Sequence, residues 1–167
     1  MSSIKVSPKY GLNPFIPGCF WCGGAKDMLA IPGKLKGDAE ARHGMIIDTE
    51  PCDKCAEGFQ RTKDEGGILL FEVGTEREVG EASQLKPVRP GIWLTGRMVG
   101  IKGEAFDRIF PPAVPKSDED FEQATEYNNM IAEIKAHQMS YMDKETFTRI
   151  CGDAVKDGGM SNAENTD

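Results

Sequence analysis

The chain has 167 residues and a mass of 18.3 kDa, the size of one domain or of one small domain with an appendage. Apolar residues make up 39% and charged residues 28%, enough for a modest core but not a large one. With 20 basic and 27 acidic side chains the net charge is −7, which argues against coating nucleic acid through bulk charge, and no apolar run approaches the ~18 residues a membrane helix needs.

The opening Met1-Ser2-Ser3-Ile4-Lys5 lacks an apolar signal segment, so a cytosolic protein is expected. Residues 1–18 carry Pro8, Gly11, Pro14, Pro17 and Gly18 and read as an extended arm rather than helix or strand. Met28–Ile31 and Met45–Ile47 are short apolar runs suited to two small strands, with a polar loop between them. Ile68–Val73 is the best strand pattern in the chain. The polar stretch Gly74–Pro90 reads as a loop, Ile92–Ile101 as a second strand and Glu104–Phe110 as a short helix stopped by Pro111-Pro112.

Ser117 opens the longest helical pattern. Phe121, Ala124, Asn128, Ile131 and Ile134 recur at three- and four-residue steps, so that stripe is expected to face a core. Asp143 suits the cap of a last helix carrying Phe147, Ile150, Cys151 and Ala154. From Gly158 the chain is small and polar, and is expected to be disordered. The acidity is confined to the later part: residues 1–65 balance nine basic against nine acidic groups, and residues 66–167 carry the whole deficit.

Chemistry concentrates in the front. Of five cysteines, four form two C-x-x-C pairs, Cys19-Phe20-Trp21-Cys22 and Cys52-Asp53-Lys54-Cys55, with 29 residues between them. Each pair brings two sulfurs to one turn, and two pairs complete a tetrahedral four-sulfur shell. Gly23-Gly24 permits the positive φ of a metal knuckle after the first pair. At the second pair Ala56 replaces that glycine, while Pro51 suits a helix start, where the positive dipole end favours thiolates. A knuckle, a hairpin and a helix whose first turn gives two ligands is a treble-clef arrangement, favoured here over a symmetric zinc ribbon. Zn²⁺ is the leading occupant. A rubredoxin-like iron site, a pair of redox disulfides and unligated thiols are the competing readings. Four sulfurs close the shell and leave no open position for a substrate or water, so a structural ion is expected rather than a catalytic one.

His43 is the one histidine between the pairs. A His-Asn-His nuclease would need further His or Asn partners there, so an exposed loop histidine is the better reading. Cys151 has no His near it in sequence and reads as a core thiol. Phe20 and Trp21 cannot both be buried at a two-residue knuckle tip. With Lys26, Lys34 and Lys36, and with Arg42 and Lys54 adding positive charge nearby, they form a candidate aromatic and basic contact surface for protein or nucleic acid, set against plain packing and charge balance.

Asn13-Pro14, Ile16-Pro17, Cys19-Phe20-Trp21-Cys22-Gly23, Gly33-Lys34-Leu35, Glu50-Pro51-Cys52-Asp53-Lys54-Cys55 and Thr95-Gly96-Arg97 together resemble small cysteine-rich, treble-clef or zinc-ribbon-like proteins of bacteria and their phages. The likeness covers about residues 10–110; it implies a zinc module and a phage or mobile-element origin, and supplies no activity. More distantly, the cysteine pairs are similar to the partner-capturing zinc domain of Clp-family unfoldases.

The expectation is an α+β protein with a zinc-stabilised treble-clef module, a short antiparallel sheet and C-terminal helices. Its segments are an arm over 1–18, the zinc module over 19–73, a strand–helix extension and linker over 74–116, helices over 117–156 and a tail over 157–167. The expected role is a non-enzymatic binding module for a protein partner, whose basic face would meet the acidic helix positions Asp118, Glu119, Asp120, Glu122 and Glu126. A nucleic-acid-binding zinc protein is the first alternative and a metal-dependent nuclease or hydrolase the second.

Overall fold

A computed structural model describes residues 12–27, 29–32, 44–156 and 160–161. The chain divides into two compact units, Met1–Cys55 and Ala56–Asp167. The expected tail falls outside the described residues except for Met160–Ser161.

In the first unit, β1 (Leu12–Phe15) pairs antiparallel with β2 (Leu29–Pro32), Leu12 opposite Pro32 and Phe15 opposite Leu29. The expected arm therefore contains a strand. Pro14 does not prevent it, because a two-stranded ribbon has only edges and a missing N–H can face outward. β2 matches the expected first strand, but Met45–Ile47 forms no strand. It is tied to the chain before the first cysteine pair by Gly44 N–H to Ile16 O (2.7 Å) and Gly18 N–H to Met45 O (3.1 Å), and its three apolar side chains are exposed.

Helix α1 (Asp53–Asp64) starts inside the second C-x-x-C pair, as the Pro51 signal implies. In the second unit, β3 (Ile68–Gly74) is buried at every position. Such a strand needs cover on both faces. Ile68 and Leu70 share a cluster with Val99, Ile101, Phe106, Ile131, Phe147 and Ile150. Phe71, which alternation directs to the other face, meets the rings of Phe59 and Tyr141.

Antiparallel to β3 runs β4 (Trp93–Ile101), with Ile68 opposite Ile101 and Leu70 opposite Val99. The sheet therefore joins residues on both sides of position 73, chosen from sequence as the end of the zinc module. Between the strands, the expected loop holds α2 (Glu76–Val79) and a 3-10 turn over Gly80–Gln84. Thr75 opens α2: its N–H donates to the Glu78 carboxylate at 2.8 Å, which holds that carboxyl below its ordinary pKa.

Helix α3 (Gly103–Ile109) is the expected short helix, shifted by one residue. Helix α4 (Asp118–His137) starts at Ser117, whose hydroxyl accepts from Asp120 N–H. Its stripe is only partly a core face. Ala124 and Ile131 are buried and Ile134 packs against the core, but Phe121 is 62% exposed, because the buried stripe ends one turn short of it. The polar member, Asn128, pairs with both backbone groups of Ala113, at 2.9 and 3.0 Å.

Sequence reading missed β5 (Met139–Asp143), which runs parallel to β3, Leu69 opposite Met139. The sheet is therefore mixed, not antiparallel, within the expected α+β class. Gln138 makes the turn from α4 into β5 with φ of 55°, a left-handed cap that glycine usually supplies. Its amide holds the turn by donating to Lys63 O (2.8 Å) and Gly67 O (3.1 Å). Helix α5 (Lys144–Lys156) follows, capped by Asp143 through the Thr146 N–H at 2.7 Å. A short β6 (Met160–Ser161) pairs with β4, giving the order β5-β3-β4-β6.

One charged group sits inside this core. Glu72 on β3 is 3% exposed, yet both its oxygens are engaged: Thr95 Oγ1 donates at 2.8 Å and Arg97 Nη1 at 3.0 Å. The Arg97 guanidinium also lies 5.2 Å from the Phe147 ring centroid.

Phe106→Ala should cost the second unit about 3–5 kcal/mol, through lost burial and a cavity. Phe121→Ala should stay within about 0.5 kcal/mol, as exposed positions do. Urea denaturation of the two variants measures the difference.

Candidate metal centre

The first cysteine pair sits in a tight turn. Gly23 N–H donates to Cys19 O and Cys19 N–H to Gly24 O, each at 2.8 Å, and Gly23 takes the positive φ of 70° that glycine permits. Gly18, just before the turn, is packed against the returning chain: a Cβ there would stand 2.5 Å from Gly44 O. The second pair spans the start of α1, Cys52 just before it and Cys55 in its first turn.

The four sulfurs lie within 4.8 Å of one another. Cys19 Sγ and Cys55 Sγ are 3.9 Å apart, and Cys22 Sγ and Cys52 Sγ 3.7 Å. Four sulfurs about 2.3 Å from one ion at tetrahedral angles stand about 3.8 Å apart, so the residues present fit a single metal ion. The four thiols are free in this arrangement. Cys19 is fully buried and Cys22 is exposed.

Backbone donors serve the sulfurs. Cys52 N–H points at Cys19 Sγ (3.4 Å) and Gly24 N–H at Cys22 Sγ (3.3 Å). Burial raises the Cys19 thiol pKa, but N–H groups of Cys52, Cys22 and Trp21 outweigh it and bring the value down to about 6. Cys55 is pushed up, first by burial and then by the neighbouring sulfurs. Cys22 also ends raised, although the Gly24 N–H acts the other way, because burial and the sulfurs of Cys52 and Cys19 oppose it. Four thiolates this close would repel one another, and a divalent cation among them would offset that charge.

Around the cluster, Trp21 Nε1 donates to Thr49 O at 2.8 Å, and the Trp21 ring meets Phe20 edge-on at 5.0 Å. Both rings are half-buried, which favours packing over a projecting aromatic pair. Lys26 is likewise engaged. Its Nζ donates to Asp48 Oδ1 (2.7 Å) and to Glu50 O (3.1 Å), and Asp48 Oδ1 accepts from Glu50 N–H (3.0 Å). The Lys26 ammonium holds the Asp48 carboxyl below its ordinary pKa, and Asp48 holds Lys26 above its own. This triangle fixes the turn leading into Pro51 and Cys52, a positioning role that the sequence did not reveal. Lys34, Lys36 and His43 lie outside the described residues. Cys151 is half-buried against the core of the second unit, and burial pushes its thiol up, as a core thiol requires. Among the described residues no helix is long and apolar enough to cross a membrane.

Comparison with protein-family models, with curated proteins and with solved structures finds no match.

Replacing Lys26 with Met should weaken metal retention about tenfold in chelator competition, as loss of an outer-shell support does. The Asp48 contribution is present above its unfolded pKa of about 3.9 and lost as pH falls through its lowered folded value; the Lys26 contribution is present below about 10.4 and lost as pH rises through its raised one. The ratio of wild type to variant should therefore be the same at about pH 6 and about pH 8.

Proposed function

We propose that Cys19, Cys22, Cys52 and Cys55 hold one structural Zn²⁺, and that the protein is a non-enzymatic binding module for a protein partner in the cytosol. The observation that carries the metal reading is the closed set of four sulfurs within 4.8 Å of one another. A catalytic zinc keeps an open position for water, and four cysteines leave none. Zinc is favoured over a rubredoxin-like iron because Ala56 and α1 follow the second pair where a second glycine knuckle would be needed. A knuckle followed by a helix-borne pair supports the treble-clef reading. The hairpin that reading expects between the pairs is not seen among the described residues, where β2 pairs with β1.

A protein partner is favoured over nucleic acid because Lys26, a member of the expected basic patch, is committed to Asp48 and Glu50. The resemblance to small cysteine-rich proteins of bacteria and phages is in keeping with an accessory protein of that kind.

Metal analysis of purified protein should give about one zinc per chain, as a filled structural site requires, and single Cys→Ser changes at the four positions should lower it below about half. His43→Ala should leave it unchanged. Less than half an equivalent in the wild type, with all four cysteines freely reactive, would overturn the metal reading. Hydrolysis of nucleic acid that depends on added Mg²⁺ or Mn²⁺ would overturn the non-enzymatic one.

A further inference from the structure

The four sulfurs of the metal centre are unequally covered. Cys19 is fully buried, Cys52 and Cys55 are half-buried, and Cys22 is exposed together with the residues that follow it, Gly23, Gly24 and Ala25. Position 24, beside the Cys22 sulfur, is glycine. A Cβ there would stand 3.2 Å from Cys22 Sγ, so that residue brings no side chain to screen it. The sulfur at this open edge has another within reach. Cys22 Sγ lies 3.7 Å from Cys52 Sγ, across the two pairs, while Cys55 Sγ is 3.9 Å from the buried Cys19. The step from 3.7 Å to an S–S bond of about 2.05 Å is small beside the reach of two cysteine side chains.

Resting on the zinc reading above, we infer that this open edge is a peroxide-sensitive switch: hydrogen peroxide oxidises Cys22, Cys52 resolves it, and the Cys22–Cys52 disulfide dismantles the metal centre reversibly. In the first step the Cys22 thiolate attacks the O–O bond. Its sulfur takes one oxygen as a sulfenic acid and hydroxide leaves. In the second the Cys52 thiolate attacks that sulfur, the S–S bond forms and a second hydroxide leaves. Two protons from solvent turn both hydroxides into water. The two thiolates are oxidised by two electrons in all, and one peroxide is reduced.

The consequence follows from how this unit is held. Two of its four ligands are consumed, and Cys19 with Cys55 cannot fill a tetrahedral shell. What remains among the described residues of Met1–Cys55 is a two-stranded ribbon beside the exposed Met45, Ile46 and Ile47. The fixed form that a partner would meet is therefore lost. The core of the second unit uses none of these four cysteines and is kept.

The test treats the zinc-loaded full chain with about one equivalent of hydrogen peroxide, the amount one disulfide consumes, alkylates the remaining thiols and maps the cysteines by mass spectrometry. One disulfide, Cys22–Cys52, should form, with Cys19 and Cys55 alkylated. A zinc-sensitive dye should register about one zinc lost per disulfide. In NMR the amide signals of residues 16–27 and 44–55 should collapse while those of β3 and β4 stay, and dithiothreitol with added zinc should restore them. Cys151→Ala should leave the rate of zinc loss within about twofold, because that thiol packs against the second unit's core. A disulfide within either C-x-x-C pair, zinc loss that requires Cys151, or zinc retained after the peroxide is consumed would overturn the switch. Zinc content is measured before treatment. Zinc missing there overturns the metal reading and this switch with it, whereas zinc present but unmoved by peroxide overturns the switch alone.

Discussion

Mutual repulsion among four sulfur atoms is the constraint on which the first unit depends. Brought within 4.8 Å of one another, four thiolates would repel strongly unless a cation lay among them. Their surroundings are nevertheless arranged for charge: Cys52 and Gly24 donate backbone N–H groups to sulfur, and Cys19 is drawn down to about 6 against the effect of its own burial. Among its described residues few other features hold this unit. Its two-stranded ribbon is short, and such a ribbon has little stability alone. Met45, Ile46 and Ile47, the apolar residues nearest the second pair, are exposed rather than packed. A metal ion held by the four cysteines would add stability that the described apolar residues of this unit do not supply.

The second unit is held differently. There β3 is buried along its whole length, and the chain supplies aromatic and aliphatic cover from α1, α3, α4 and α5. Glu72 is the exception in that strand. Its carboxylate survives in the core because Thr95 and Arg97 reach both oxygens, and Arg97 spreads its remaining face over Phe147. Removing Arg97 would leave a buried charge unmatched, which makes the pair a constraint on strand register more than a net source of stability.

The parts of this structure legible from sequence are those written in local chemistry. The cysteine spacing, the glycines after the first pair, Pro51 before α1, and the caps Ser117 and Asp143 each act within a few residues, and each is found in its expected role. The misreadings share a cause: they turn on partners distant in the chain. β5 has no alternating pattern strong enough to announce it, and becomes a strand because β3 offers it a parallel edge and Gln138 takes a left-handed turn. Met45–Ile47 has a strand's composition but no partner strand among the described residues. Phe121 satisfies the helical period that places Ala124 and Ile131 inside, yet periodicity does not say where the core ends. For Lys26 the sequence left contact surface and charge balance both open, because it shows a charge but not the Asp48 that pairs with it.

That last contrast bears on how charge is used at all in this protein. Lys26, one of the basic residues near the cysteines, is paired, and what it steadies is the approach to Cys52. The carboxylates of α4 have no such employment. Beyond the first turn they gain nothing from the helix dipole, and they repel one another along the face they share. A helix can carry that cost where solvent screens it. Apolar exposure and unpaired charge of one sign are each ordinary on a protein surface. Around α4 the two fall on different sides, since Glu119 and Glu126 are offset from Phe121 by about 160° and about 140° at about 100° per residue, and screening by solvent is what lets that side carry its charge.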